Sequence, residues 1–148
     1  MTGTEDLHDT KVDVKLVLSG LWISTAFVFA YVDIFGFWRA DVINGALAGK
    51  VPGAGYKIGQ SFLLLSTMYI LIPSLMVIVS LVAPARLNRT ANIVASLTYA
   101  VTVLVAVISE GWWYYILGSI IEVVLLLSIA RVAWTWPRHA TQSRSANV

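Results

Sequence analysis

The chain has no cysteine and few charged residues, and both shortages limit what it can be. Without cysteine, its 148 residues form no disulfide, no cysteine nucleophile and no cysteine-ligated metal site. The two histidines, His8 and His139, lie in the polar ends of the sequence, which excludes a haem held between membrane helices by paired imidazoles. The sequence therefore predicts neither a cofactor nor a metal site.

Charge is scarce in comparison with hydrophobicity. Only 12% of the residues are charged and 58% are hydrophobic, with a mean hydropathy of +0.79, whereas soluble domains carry about 25% charged residues. The basic residues behind the net charge of +2 are scattered, without the aromatic-interleaved basic patch of a nucleic-acid-binding protein. The composition favours a membrane protein whose first partner is the lipid bilayer and that does not bind nucleic acid.

Four stretches of the sequence are almost free of charge, and one of them, residues 111–130, contains a single ionisable residue, Glu122. Because roughly 20 apolar residues cross a bilayer, we predict an all-α polytopic membrane protein, a bundle of four transmembrane helices. The predicted spans cover residues 14–37, 58–82, 91–108 and 112–134.

The segments outside the spans are polar or rich in glycine. Residues 1–13 and 137–148 are predicted tails, and residues 38–57 form the only long connection, in which Arg39–Leu47 has the pattern of a short interfacial helix. Pro73 lies inside the second predicted span. A proline there removes a backbone hydrogen bond, so we expect a neighbouring helix to satisfy the freed carbonyl.

The distribution of lysine and arginine predicts the orientation of the bundle. Seven of them lie on the side that both termini share with the connection between the second and third spans, and three lie on the other side. Because cytoplasmic segments carry the excess of Lys and Arg, both termini are expected in the cytoplasm. The loop 38–57 is then expected to face outward.

Glu122 is the residue of the predicted spans that most suggests a functional site. It lies near the middle of the fourth span, where a carboxylate is costly and marks a candidate functional site. Helical spacing places Tyr115 and Ser119 on its face, beside Gly118, whose small size permits close helix packing. The candidate pocket for a ligand or a proton comprises polar side chains of all four spans: Glu122, Tyr115, Ser119, Tyr99, Ser96, Thr67 and Tyr31.

Two alternatives stay open at these positions. A protonated Glu122 bonded to a tyrosine or serine can simply lock the helices together, or it can form a self-association contact. At the outer side, Asp33, Glu110 and Arg39 are candidates for a charged mouth, for which ordinary interfacial ion pairs are the alternative.

Several short motifs resemble those of a known family. They are Tyr31-x-Asp33-x-x-Gly36, Ile72-Pro73 followed by Met76, Asn88-Arg89-x-Ala91-Asn92-Ile93, and Tyr114-Tyr115 followed by Ile121-Glu122. Together they resemble an uncharacterised family of small four-helix bacterial integral membrane proteins, a domain of unknown function. The resemblance implies the four-helix fold and a bacterial plasma membrane, and it implies no activity. A looser likeness to DoxX-type proteins concerns length and span number only.

The sequence favours a non-enzymatic membrane protein that binds or transports a small or lipidic ligand, or protons, at a pocket around Glu122. The alternative is a structural or accessory subunit of a larger membrane complex, and both a homodimer and an unknown membrane partner stay open. An enzyme is the weakest hypothesis, because no histidine, cysteine or second acid lies near Glu122 in the sequence. Polar residues recur at seven-residue spacing as stripes, with Gln60, Thr67 and Ser74 on the second span and Ser24 and Tyr31 on the first. Stripes that converge on Glu122 would favour binding, whereas a lipid-facing stripe would favour a missing partner.

Overall fold

The computed structural model describes residues 10–52, 55–108 and 110–136. The helices are α1 (Val14–Gly36), α2 (Ala40–Leu47), α3 (Gln60–Val82), α4 (Ala85–Val107) and α5 (Trp113–Trp134). All except the short α2 are long and apolar enough to cross a membrane. The predicted all-α bundle with four such helices is therefore confirmed.

The four long helices pack unequally. Helix α1 lies against both α3 and α5, and α4 lies against α5, whereas α3 and α4 meet only loosely. As a result α3 buries only three residues, Pro73, Met76 and Ser80. We call the end of the bundle that carries α2 the loop end, and the end at which α1 begins and α5 finishes the tail end. Which side of a membrane each end faces stays a prediction.

The tight packing of α1 against α5 depends on a glycine. A side-chain carbon added at Gly118 would collide with Cγ2 of Val32 on α1. The absence of a side chain thus lets the two helices approach closely, as small residues do in membrane proteins. Gly118 and Ser119 are both buried, in agreement with the predicted close approach of another helix at this face.

A buried hydrogen-bond network joins three helices in the tail half of the bundle. The Trp22 Nε1–H group donates to Asn92 Oδ1 at 2.6 Å, and the Ser80 hydroxyl donates to the same oxygen at 3.2 Å. The amide of Asn92 donates to Asn88 Oδ1 at 2.6 Å, and the Asn88 amide donates to the Ser80 carbonyl at 2.6 Å. Because all four side chains are fully buried, these mutual bonds offset the cost of removing them from water.

The start of the third long helix differs from the prediction. Helix α4 begins at Ala85 and not at residue 91, and Pro84 occupies its N-cap position. Proline suits a helix start because its fixed φ is already helical and its missing N–H has no partner there. The apolar run marked the hydrophobic part of the helix, whereas the helix itself extends through Arg86 and Arg89.

Candidate ligand-binding cavity

A cavity of about 850 Å³ opens in the loop half of the bundle. The last turns of α1 and α4 and the first turns of α3 and α5 surround it. Space for it is available because α3 and α4 make few contacts with each other. The lining combines two carboxylates, the hydroxyls of one serine and one threonine, five aromatic rings, three of which are tyrosine, and aliphatic residues.

Glu122 forms the inner part of this lining. Its side chain is 5% exposed, and it forms no hydrogen bond or ion pair with any residue in the described ranges. The same face of α5 buries Gly118, Ser119, Leu126 and Ile129, so this face points into the bundle as the spacing predicted. A buried carboxylate without a partner is costly. Glu122 is thus a polar group in the cavity wall without a hydrogen-bond partner among the described residues.

Asp33 lies in the same cavity and supplies its second carboxylate. The sequence placed Asp33 at an outer mouth with Arg39 and Glu110, but the structure brings it to Glu122's cavity instead. The sequence contains one indication of this position: Asp33 lies one helical turn after Phe29, and residues at this spacing share a helix face. Phe29 also lines the cavity. Within the described ranges no three His, Cys, Asp or Glu side chains are grouped as metal ligands.

Arg39 and Glu110 form a separate charged cluster at the loop end. Arg39 binds Asp41 through two nitrogens, at 3.2 and 2.7 Å, and its Nη1 donates to Glu110 at 3.1 Å. Its guanidinium also lies 4.8 Å from the ring centroid of Trp112. The hydrogen bond from Arg39 lowers the pKa of Asp41, and the same bond is the main cause that raises the pKa of Arg39. This cluster ties α2 to the start of α5.

The remaining pocket candidates divide into three groups. Tyr115 lines the cavity with Glu122. Ser119, Ser96 and Tyr99 are buried but lie outside the cavity lining; Ser96 donates to the Ile93 carbonyl of its own helix.

The structure does not bring Thr67 and Tyr31 to the cavity. Thr67 is exposed, and its hydroxyl donates to the Leu63 carbonyl of its own helix at 2.8 Å. Tyr31 is 54% exposed on the outer surface of α1, where its ring packs against Phe35. Their seven-residue spacing to other polar residues was real. This spacing could not determine which face of each helix points into the bundle, because apolar residues cover all sides of these helices.

Tyr69 and Thr102 are cavity residues that the sequence analysis missed. The Tyr69 and Thr102 hydroxyl oxygens are 2.6 Å apart, which joins α3 to α4 beside the cavity. The Tyr99 ring packs against the Tyr69 ring with centroids 4.7 Å apart. An aromatic residue in an apolar helix gives little indication of its partner.

Tyr56, in the loop between α2 and α3, also lines the cavity. This loop is folded back on itself, because the Val51 N–H donates to the Tyr56 carbonyl and the Ile58 N–H donates to the Gly49 carbonyl, each at 2.8 Å. Gly49 has a φ of 68°, a conformation that favours glycine. The predicted outer loop therefore contributes a ring to the cavity.

Comparison with known proteins gives a family and no individual relative. No curated protein and no solved structure matches the chain. The likeness to DoxX-type proteins and the bacterial origin stay predictions, whereas the resemblance to an uncharacterised family is confirmed. A family of unknown function, DUF6326, matches residues 6–143, which is most of the chain, and the protein belongs to this family.

Proposed function

We propose that this protein is an integral membrane protein that binds a small or lipidic ligand in the loop-half cavity, with Glu122 as the polar anchor. The observation that carries the proposal is the position of Glu122, which is buried, faces the cavity and bonds to no described residue. A ligand that donates a hydrogen bond or brings a positive charge would offset the cost of burying this carboxylate.

The size and lining of the cavity support binding. Ligand cavities typically measure about 300–1,000 Å³ and combine apolar walls with a few polar groups, and the volume of about 850 Å³ falls in this range. We propose binding or transport and not catalysis. The two carboxylates are accompanied by no histidine or cysteine in the described lining, and these are the commonest bases and strongest nucleophiles.

The first test asks whether water and ligands reach the cavity in a membrane. Since the chain has no cysteine, single cysteines can be introduced without removing others. In lipid nanodiscs, Ala106→Cys, in the cavity lining of α4, is expected to react with a water-soluble maleimide. Leu104→Cys is the matched control, because Leu104 is 51% exposed and lies on the opposite side of α4. Equal labelling of both cysteines, or none of Ala106→Cys, would contradict the proposal.

The second test asks whether the cavity retains a ligand. Native mass spectrometry of the purified protein is expected to show a bound non-protein mass. Ala106→Trp should remove this mass by filling the cavity, whereas Leu104→Trp should keep it. Loss of the mass from both variants, or from neither, would count against the cavity as its site.

The exposure of α3 favours a second candidate, an accessory subunit of a membrane complex or a homodimer. The polar stripe Gln60, Thr67 and Ser74 does not converge on Glu122 but lies exposed on α3. However, the hydroxyls of Thr67 and Ser74 donate to carbonyls of their own helix, so this stripe is compatible with lipid. This candidate predicts a native mass well above the 16.2 kDa of one chain, and a monomer that retains the ligand would contradict it.

A further inference from the structure

We infer that the cavity takes a hydrophobic organic cation, a monovalent ammonium- or phosphonium-type group carried on an apolar body. This inference rests on the proposed function, because it names the ligand class of the same cavity. Charge, aromatic lining and the unpartnered Glu122 each support it.

The charge of the lining has one sign. Asp33 and Glu122 both border the cavity, and no lysine or arginine does so among the described residues. The guanidinium of Arg39, at the same end of the bundle, is occupied by Asp41 and Glu110 and is therefore not available to neutralise the cavity. An anionic ligand would face two carboxylates in a region of low dielectric constant, where like charges repel strongly.

The aromatic residues of the lining suit a cation as well as an apolar body. Five rings border the cavity, from Phe29, Tyr56, Phe62, Tyr69 and Tyr115. The face of an aromatic ring attracts a cation, and the attraction increases when the site excludes water. The same rings offer apolar surface to the substituents of an organic cation, whereas a small hydrated ion gains nothing from it.

The lack of a hydrogen-bond partner for Glu122 favours a cation over a neutral ligand. The residue is only 5% exposed and lines the cavity without a hydrogen-bond partner among the described residues, so a neutral lipid chain would leave its carboxylate uncompensated. A metal ion is disfavoured because no three His, Cys, Asp or Glu side chains are grouped as ligands in the described ranges and because the aromatic walls offer it no ligands. A single positive charge with apolar substituents satisfies both the carboxylate and the walls.

Tetraphenylphosphonium and tetraphenylborate provide the test, since they have nearly the same shape and opposite charge. In nanodiscs of zwitterionic phosphatidylcholine, each ion is added to Ala106→Cys before maleimide labelling. Tetraphenylphosphonium is expected to slow the labelling about tenfold, saturably, and tetraphenylborate to leave the rate unchanged. Calorimetric titration of the wild type, corrected for empty nanodiscs, is expected to show one saturable site for the phosphonium alone.

Variants at the carboxylates test the role assigned to Glu122. In Ala106→Cys/Glu122→Gln, the protection by tetraphenylphosphonium is expected to disappear, because the amide has nearly the shape of the acid and no charge. Asp33→Asn is the second variant; Asp33 is exposed, so we expect its replacement to leave the fold intact and to weaken the protection about tenfold or less. A thermal unfolding curve for each variant controls for folding.

The outcomes separate this inference from the proposed function. The cation inference is wrong if the borate protects as well as the phosphonium, if neither ion protects, or if Glu122→Gln and Asp33→Asn both leave the protection intact. In each of these cases, labelling of Ala106→Cys in the absence of an ion still supports a cavity. If Ala106→Cys is not labelled at all in the absence of any ion, the proposed function and this inference are both overturned.

Discussion

The Tyr99 hydroxyl donates a hydrogen bond to the main-chain carbonyl of Tyr69 at 2.5 Å. This carbonyl would ordinarily accept from the residue four positions later, but that residue is Pro73, which has no N–H. Tyr99 on α4 therefore supplies the donor that α3 lacks, as the sequence led us to expect of a neighbouring helix. The bond lies beside the cavity, whose wall includes the Tyr69 ring.

Replacing Tyr99 by Phe should destabilise the protein by about 1–2 kcal/mol, because it leaves the Tyr69 carbonyl without a donor. In the Pro73→Ala background the loss should be much smaller, since the N–H of residue 73 can then bond to that carbonyl. Unfolding in detergent micelles, measured for the wild type, both single variants and the double variant, gives the coupling energy. An equal loss in both backgrounds would show that the carbonyl does not depend on Tyr99.

Gly118→Ala should destabilise the bundle by about 1–3 kcal/mol, because the new methyl group meets Val32. Val32→Ala should restore much of the loss by removing the methyl group that causes the collision. Gly20→Ala is the matched control, because an added carbon there meets nothing within 4 Å. Thermal unfolding in nanodiscs measures all four proteins; a loss at Gly118 that Val32→Ala leaves undiminished would contradict the assigned contact.

Asn92→Leu should cost about 2–4 kcal/mol, because it leaves the indole N–H of Trp22 and the Asn88 side chain without their buried partner. Thr90→Ala, two residues away on α4, should change stability by less than about 0.5 kcal/mol, since Thr90 is exposed and bonds only to its own helix. Denaturant-induced unfolding followed by circular dichroism compares the two. Similar losses would mean that the buried network contributes no more than a surface position.

Acidification should weaken the cluster that Arg39 forms at the loop end. Because the hydrogen bond from Arg39 lowers the folded-state pKa of Asp41 below its ordinary value of 3.8, the stabilisation is complete above that value and is lost as the pH falls through the lowered pKa. We expect the melting temperature of the wild type to approach that of Asp41→Asn as the pH falls below about 4.

The comparison with Asp41→Asn isolates this carboxyl, because Glu110 also binds Arg39 and is present in both proteins. Melting curves in nanodiscs at steps between about pH 7 and 3 provide the measurement. A difference between the two proteins that stays constant over the whole range would rule out a contribution from the ionisation of Asp41.

The sequence alone determined the number of helices long and apolar enough to cross a membrane and the place of Glu122 near the middle of the last one. Both follow from the length of the apolar runs, because the number of residues needed to cross a bilayer does not depend on the neighbouring helices. Pro73 likewise indicated a freed carbonyl, because the missing N–H is a property of one residue. The helix ends did not follow from the apolar runs, as the start of α4 at Ala85 shows, because hydrophobicity indicates which residues suit the interior of a bilayer and not where helical hydrogen bonding begins.

Only the tertiary structure decided which polar groups meet. Asp33 shares the cavity of Glu122 whereas Thr67 does not, and Trp22 finds Asn92 on a helix far along the chain. In these helices apolar residues lie on every side, since lipid and protein interior accept the same side chains. The sequence therefore left the rotation of each helix about its axis undetermined, and close packing at residues such as Gly118 fixed it.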